Sequence, residues 1–220
     1  MIRAIIFDLD GTLIDSIEDL TDSLNFALKE LNLPTFEVNQ VKKFVGEGME
    51  SLIKNAIDSL NENPEKIQQC YKIFYEHYEK NCTNKTKLFT GVQEFLKKNS
   101  NYQLGILTNK SEFFTIKILE HLQIRDFFSY VLTGDHPDYK KPNPYGIHKL
   151  LENWNLSNKE AILVGDHYTD IECAKNADIN SIFAMYGYGY LKEIKPKYYI
   201  KSLKNLDLLL RTIDKRDSST

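Results

Sequence analysis

Ile5-Ile6-Phe7-Asp8-Leu9-Asp10-Gly11-Thr12-Leu13 is the stretch on which the reading of this chain turns. Three apolar residues run into a carboxylate, and a second carboxylate follows two positions later, just ahead of Gly-Thr. An apolar run of this kind reads as a strand buried on both faces of a parallel sheet. Ligands of open α/β sheets bind beyond the carboxyl ends of the strands, so Asp8 and Asp10 fall at the ligand edge. Side chains two apart on a strand project to the same side, and Gly11 permits the sharp turn that follows. Two carboxylates this close repel each other unless a cation or a shared proton relieves them. An ordinary Asp-Gly turn would use the same residue types, so the surrounding chain has to discriminate.

Downstream the pattern changes from strand to helix. Ser16 is a good N-cap residue, with Asp19 in the N3 position of a capping-box-like start. Ile17, Leu20, Leu24, Ala27, Leu28 and Leu31 share one helical face, and Pro34 stops the run. A second stripe is Met49, Leu52, Ile53, Ala56, Ile57 and Leu60. A third begins at Asn63-Pro64 and carries Ile67, Cys70, Tyr71, Phe74 and Tyr78, with its tyrosines read as packing. Residues 16–87 thus form an all-helical insert placed directly after a βα loop, which reads as a lid over that loop. Between its helices, Gly46-Glu47-Gly48 lets the backbone approach a ligand closely.

From Phe89-Thr90-Gly91-Val92 onward, helices and strands alternate. Strands are expected at 104–107, 130–132, 161–164 and 181–184, helices around 92–96, 113–122 and 147–151, a closing helix over 203–213, and a polar tail over 215–220. Such alternation implies an α/β fold with a doubly wound parallel sheet. The expected division is a core of residues 1–15 and 88–220 with a helical cap of residues 16–87.

Composition excludes several classes. A net charge of −3 with both signs interspersed does not mark a nucleic-acid binder. No stretch approaches the roughly 20 apolar residues of a membrane span, and the run before Asp8 is too short for a signal h-region. Three widely spaced cysteines without metal-ligand spacing point to free thiols in a reducing compartment. A cytoplasmic protein is expected, with no membrane or nucleic-acid partner; the sequence is silent on oligomeric state.

Three strand ends carry polar groups that can converge on one edge: Asp8 with Asp10, Thr108 with Asn109, and Asp166 with Asp170. Lys141 lies on a loop after another strand. Oxygen ligands without His or Cys spacing select Mg²⁺ over Zn²⁺. A carboxylate nucleophile, a hydroxyl, a cation and Mg²⁺ together suit phosphoryl transfer, which is mostly positioning and charge neutralisation.

Phe7-Asp8-Leu9-Asp10-Gly11-Thr12-Leu13, Thr108-Asn109, Lys141 in Lys-Pro-Asn-Pro, and Gly165-Asp166-His167-Tyr168-Thr169-Asp170 arrive in the order of the four signatures of the haloacid dehalogenase-like (HAD) hydrolases. The chain resembles that superfamily over nearly its whole length. Within it, Thr108-Asn109-Lys110, Gly46-Glu47-Gly48 and Tyr186-Gly187-Tyr188-Gly189 look like the phosphoglycolate phosphatase subgroup. The resemblance implies that Asp8 is a nucleophile forming an aspartyl-phosphate, and that Asp10 is the general acid and then base. It implies that Thr108, with the Asn109 amide, holds the phosphoryl group and that Lys141 neutralises it. Mg²⁺ would be held by Asp8, the Asp10 carbonyl and Asp166, with Asp170 behind. Gly46, Glu47 and Gly48 become substrate-binding candidates, for a small phosphorylated metabolite with 2-phosphoglycolate first.

Neighbouring activities share these residues: sugar-phosphate phosphatase, pyrophosphatase and β-phosphoglucomutase. A C–Cl-cleaving dehalogenase is disfavoured because Asp10 is present. A phosphoacceptor signalling module uses similar groups, but its acceptor follows an interior strand and it has no helical insert. The chain departs from the family pattern at His167, where relatives commonly carry Ser or Thr, and an exposed loop histidine is expected there. Lysines 42, 43 and 54 flank the Gly46 loop and could meet a substrate carboxylate, since residues 16–89 contain no arginine.

Overall fold

Every residue of the strand Ala4–Phe7 (β1) is buried, as its apolar run requires. The computed structural model describes residues 1–217. After β1 come a two-residue strand, Ile14–Asp15 (β2), and four helices, Ile17–Glu30 (α1), Val38–Val41 (α2), Met49–Ser59 (α3) and Glu65–Asn81 (α4). Lys87–Leu88 (β3) then pairs antiparallel with β2. The remaining chain runs Val92–Lys98 (α5), Gln103–Leu107 (β4), Glu112–His121 (α6), Tyr130–Leu132 (β5), Tyr145–Trp154 (α7) and Ala161–Gly165 (β6). It ends with Tyr168–Asn176 (α8), Asn180–Ala184 (β7), Tyr198–Ile200 (β8) and Leu206–Asp217 (α9).

Six strands form one parallel sheet in the order β5-β4-β1-β6-β7-β8. The chain builds outward from β1 through β4 to β5, crosses back, and builds outward the other way from β6. The reversal falls between β1 and β6, the position at which doubly wound sheets open a crevice for ligand. Phe7 is level with Ile106 on one side and Val164 on the other. Asp8 follows Phe7 by one residue, Thr108 follows Ile106 by two, and Asp166 follows Val164 by two, so all three leave the sheet at nearly one height.

The period of two along β1 shows in the packing. Ile5 and Phe7 enter a core with Phe95, Phe114, Ile118, Leu206 and Leu210, whereas Ala4 and Ile6 face a second core with Ile147, Leu150, Leu163 and Ala174. Helices α5, α6 and α9 therefore cover one face of the sheet, and α7 and α8 the other. Within the insert, α1 and α3 both pack on α4, through the stripes expected from sequence: Leu20, Leu24, Leu28, Leu52, Ile53, Phe74 and Tyr78 are buried.

Four local expectations are corrected. The β2–β3 pair was not foreseen; two residues per strand carry no readable alternation. Strand β8 adds a sixth, edge position after a Lys- and Pro-containing stretch. The capping box of α1 does not form: Ser16 makes no side-chain bond to the helix. Its hydroxyl donates to the carboxylate of Asp10 at 2.5 Å, a charged and therefore stronger acceptor. Asp19 turns to the far linker, where it accepts from Lys85 N at 3.0 Å and from Thr86 N and Oγ1, both at 2.8 Å. Residues 215–217 of the expected tail continue α9, and 218–220 lie outside the described residues. The three cysteines are free and buried, and among the described residues no helix is long and apolar enough to cross a membrane.

Candidate active site

Asp8 leaves β1 at the switch point, with its own N–H donating to Val164 O at 2.9 Å. Its carboxylate is buried and accepts from Lys141 Nζ at 2.5 Å. Lys141 reaches Asp170 at 2.6 Å as well. Its ammonium is buried, which by itself disfavours its charge, but the carboxylates of Asp170 and Asp8 more than reverse this and hold it above the ordinary lysine range. Lys141 is brought here by Asn109, whose Oδ1 accepts from Lys141 N at 2.8 Å and whose Nδ2 donates to Lys141 O at 3.3 Å.

Asp166 and Asp170 complete the group. Ligand oxygens of Asp8, Asp166 and Asp170 lie within 4.8 Å of one another, all buried. The Asp166 carboxylate accepts from Tyr188 N at 3.0 Å, Gly189 N at 2.7 Å and Thr12 Oγ1 at 3.2 Å. The glycine-rich loop after β7 thus clamps it from above, and Tyr186 of that loop donates to Thr12 O at 2.8 Å. Gly11, at φ +88°, passes so close that a Cβ there would overlap the Asp166 carboxylate. Asp170 Oδ2 accepts from His167 N at 2.9 Å, closing the first turn of α8.

Of the three buried carboxylates, two contact the Lys141 ammonium and Asp166 does not. Burial pushes Asp8 up to about 7 despite Lys141, with Asp170 and Asp10 adding to the rise, and Asp166 is raised well above its ordinary value by burial, Asp8 and Asp170. This excess of negative charge is what a divalent cation would relieve, and an all-oxygen donor set suits a hard one. The residues fit a metal.

Asp10 stands apart from that cluster. Its carboxylate accepts from Ser16 Oγ and, at 3.1 and 3.2 Å, from Lys110 Nζ. Ser16 Oγ also lies 3.0 Å from Tyr188 Oη. Lys110 donates in addition to Tyr78 Oη of α4 at 2.8 Å. Burial, with Asp10 nearby, keeps both tyrosines well above their ordinary pKa and so protonated. The two carboxylates of one loop therefore have different partners and different surroundings, which is how enzymes give paired carboxylates separate roles.

A cavity opens between the strand ends and the insert. Asp8, Asp10, Thr108, Asn109, Lys110 and Ser111 line it from the sheet, and Leu20, Gly46, Gly48, Met49, Leu52 and Tyr78 from the helices. Asn109 Nδ2 donates to Gly46 O at 3.0 Å, tying the insert to the second signature. Gly46, at φ +125°, lies on the His167 ring, which a Cβ would meet at 2.7 Å. Glu47 does not line the cavity; its carboxylate accepts from Tyr168 Oη at 2.5 Å.

The chain is matched over residues 5–184 by the family model described as haloacid dehalogenase-like hydrolase. It belongs to that family. It is 33% identical to a phosphoglycolate phosphatase of Nitrosococcus oceani, over 94% of this chain and 95% of the relative. It is 37% identical to one of Vibrio cholerae, over 86% and 87%. Among solved structures it is similar to a predicted phosphoglycolate phosphatase from Haemophilus somnus, with a TM-score of 0.88 at 30% identity, covering 95% and 98% of the two chains.

Against the sequence reading of this hydrolase, Asp8, Asp10, Thr108, Asn109, Lys141, Asp166, Asp170, Gly46 and Gly48 come together, whereas Glu47 is turned to α8. His167 is not an exposed loop residue. It is 4% exposed, and burial holds its pKa below the ordinary histidine value. Its ring packs under the Gly46 loop and against Tyr168 and Tyr190. Lys42, Lys43 and Lys54 do not reach the cavity, and Lys54 pairs with Asp58 on the surface. The residue missed was Lys110. Its signal was a lysine directly after the Thr108-Asn109 strand end, with a tyrosine-rich helix to meet it.

Proposed function

We propose that the chain is a Mg²⁺-dependent phosphatase that hydrolyses 2-phosphoglycolate through a phosphoryl group carried on Asp8. The observation that carries this reading is the buried Asp8 carboxylate, held by Lys141 beside Asp166 and Asp170, with Asp10 on a separate set of partners.

In the proposed cycle an Asp8 oxygen attacks phosphorus and the bond to the leaving oxygen breaks as Asp10 donates its proton to it. Asp10 then takes a proton from the water that attacks the phosphoryl-Asp8, which returns free carboxylate and inorganic phosphate. Lys141 orients Asp8 and offsets the charge of the incoming phosphate, and the Thr108 hydroxyl binds a phosphoryl oxygen. Asp8, Asp166 and the Asp10 carbonyl would hold Mg²⁺, with Asp170 supporting them through Lys141 and the start of α8. When bound, the ion supplies further neutralisation of the phosphoryl oxygens.

Residues 16–87 act in this reading as a cap on a core of residues 1–15 and 88–220. The paired linkers β2 and β3 support those boundaries, since both crossings lie side by side. The cavity, lined both by the strand ends and by the helices of the insert, supports a small substrate over a macromolecular one. The relatives named phosphoglycolate phosphatase support the choice of substrate.

The test is kcat/KM with Mg²⁺ for 2-phosphoglycolate, hexose phosphates, pyrophosphate and nucleotides under one condition. The expected result is a preference for 2-phosphoglycolate. A preference of about a hundredfold for another member, ~2.7 kcal/mol in transition-state binding, would move the assignment to that substrate.

A further inference from the structure

Lys110 is a lysine with almost no access to solvent, its side chain 7% exposed, on the wall of the cavity that would hold the substrate. Of the residues lining that cavity it is the one cation. An ammonium has three N–H donors. They reach both oxygens of Asp10 and Tyr78 Oη. The two Asp10 contacts are the long ones, at 3.1 and 3.2 Å, so an oxygen of a ligand can replace one of them. Beside Lys110, Ser111 also lines the cavity, and its buried hydroxyl has no hydrogen-bond partner. Opposite them are Gly48 and Met49, at the N-terminus of the eleven-residue α3, the positive end of its dipole.

A buried cation, an unpartnered hydroxyl and a helix N-terminus around one space describe a place for an anion. The phosphoryl group belongs at Asp8, Thr108 and Lys141, so this anion is a different part of the substrate. We propose that Lys110, with the Ser111 hydroxyl, is the specificity-determining site for the carboxylate of the substrate. This rests on the 2-phosphoglycolate reading. It also relocates charge recognition from the helical insert, which has no arginine and whose Lys42, Lys43 and Lys54 do not line the cavity, to the core loop after β4.

The experiment compares kcat/KM for 2-phosphoglycolate with that for 2-hydroxyethyl phosphate, an analogue of the same length with an uncharged hydroxymethyl group in place of the carboxylate, in the wild type and in Lys110→Met. Loss of the bond to Asp10 slows both substrates and cancels in the ratio; loss of a carboxylate partner does not. A charge-assisted hydrogen bond of ~1.5–3 kcal/mol corresponds to a roughly 10–100-fold drop in the ratio. Ser111→Ala should lower it less, and Lys110→Arg should keep most of it. Should Lys110→Met not fold, Lys110→Gln, which keeps donors without the charge, is read in the same way. A wild type that prefers 2-phosphoglycolate but whose variants keep that preference overturns the Lys110 assignment alone. A wild type with no preference for the carboxylate overturns the substrate reading and this assignment with it.

Discussion

Replacing Asp19 with alanine removes the acceptor that ties the start of α1 to the second linker. Thr86 is buried, and both its N–H and its hydroxyl lie 2.8 Å from Asp19 Oδ2. Each buried donor left without a partner costs ~1–3 kcal/mol. The Lys85 N–H, at 3.0 Å, belongs to a residue with an exposed side chain, so water can replace that bond and it is left out of the sum. The two Thr86 donors give about 2–4 kcal/mol once some water entry is allowed for. For a chain of this size ~1 kcal/mol moves Tm by ~2–4 °C, so the midpoint should fall by roughly 5–15 °C. Asp19→Asn keeps one carbonyl acceptor and should lose less than half as much. Thermal unfolding followed by circular dichroism reads both variants, with Mg²⁺ absent so that metal binding does not contribute. An Asp19→Ala protein melting within about 1 °C of the wild type would refute the clamp. A drop in Asp19→Asn equal to that in Asp19→Ala would show that charge, not hydrogen bonding, holds the linker.

Asp8→Asn is nearly isosteric and should leave the fold intact while lowering turnover by at least roughly 10⁴-fold, the scale seen when a nucleophile is removed; single-turnover kinetics with purified protein decide it. Chelation should abolish activity and Mg²⁺ restore it, and Asp166→Ala should raise the Mg²⁺ concentration for half-maximal rate by more than about tenfold, read from a metal titration of initial rates. Gly46→Ala places a Cβ on the His167 ring at a φ that disfavours side chains. At ~1–2 kcal/mol of strain, Tm should fall by roughly 2–8 °C, read by thermal unfolding, and an unchanged Tm would show that the loop does not depend on this close approach.

What could be read from the sequence alone was whatever one element announces by itself. Asp8 and Asp166 each end an apolar run, so their place at a sheet edge followed from period and polarity, as did the stripes of α1, α3 and α4. What could not be read was which element a stripe or polar residue meets. Periodicity marks Tyr78 as facing inward, yet its ring is in the core of the insert while its hydroxyl reaches Lys110 of the sheet. The same limit hid His167: a loop histidine looks exposed until the Gly46 backbone is known to lie across its ring.

Ser16 and Asp19 make the point in energetic terms. Both are good residues for a helix start, and locally a capping box is their best use, worth about 1 kcal/mol. The fold offers each something stronger: for Ser16 the charged oxygen of Asp10, for Asp19 three donors on a linker 66 residues away in sequence. Local preference loses wherever a distant partner brings charge or several bonds at once. Those places fall here at the two crossings between insert and core, Ser16 on Asp10 at the first and Asp19 on Lys85 and Thr86 at the second. The residues that broke the local rule are therefore the ones that tie the start of α1 to Asp10 and to the second linker, and a helix start that fails to cap itself marks the junction.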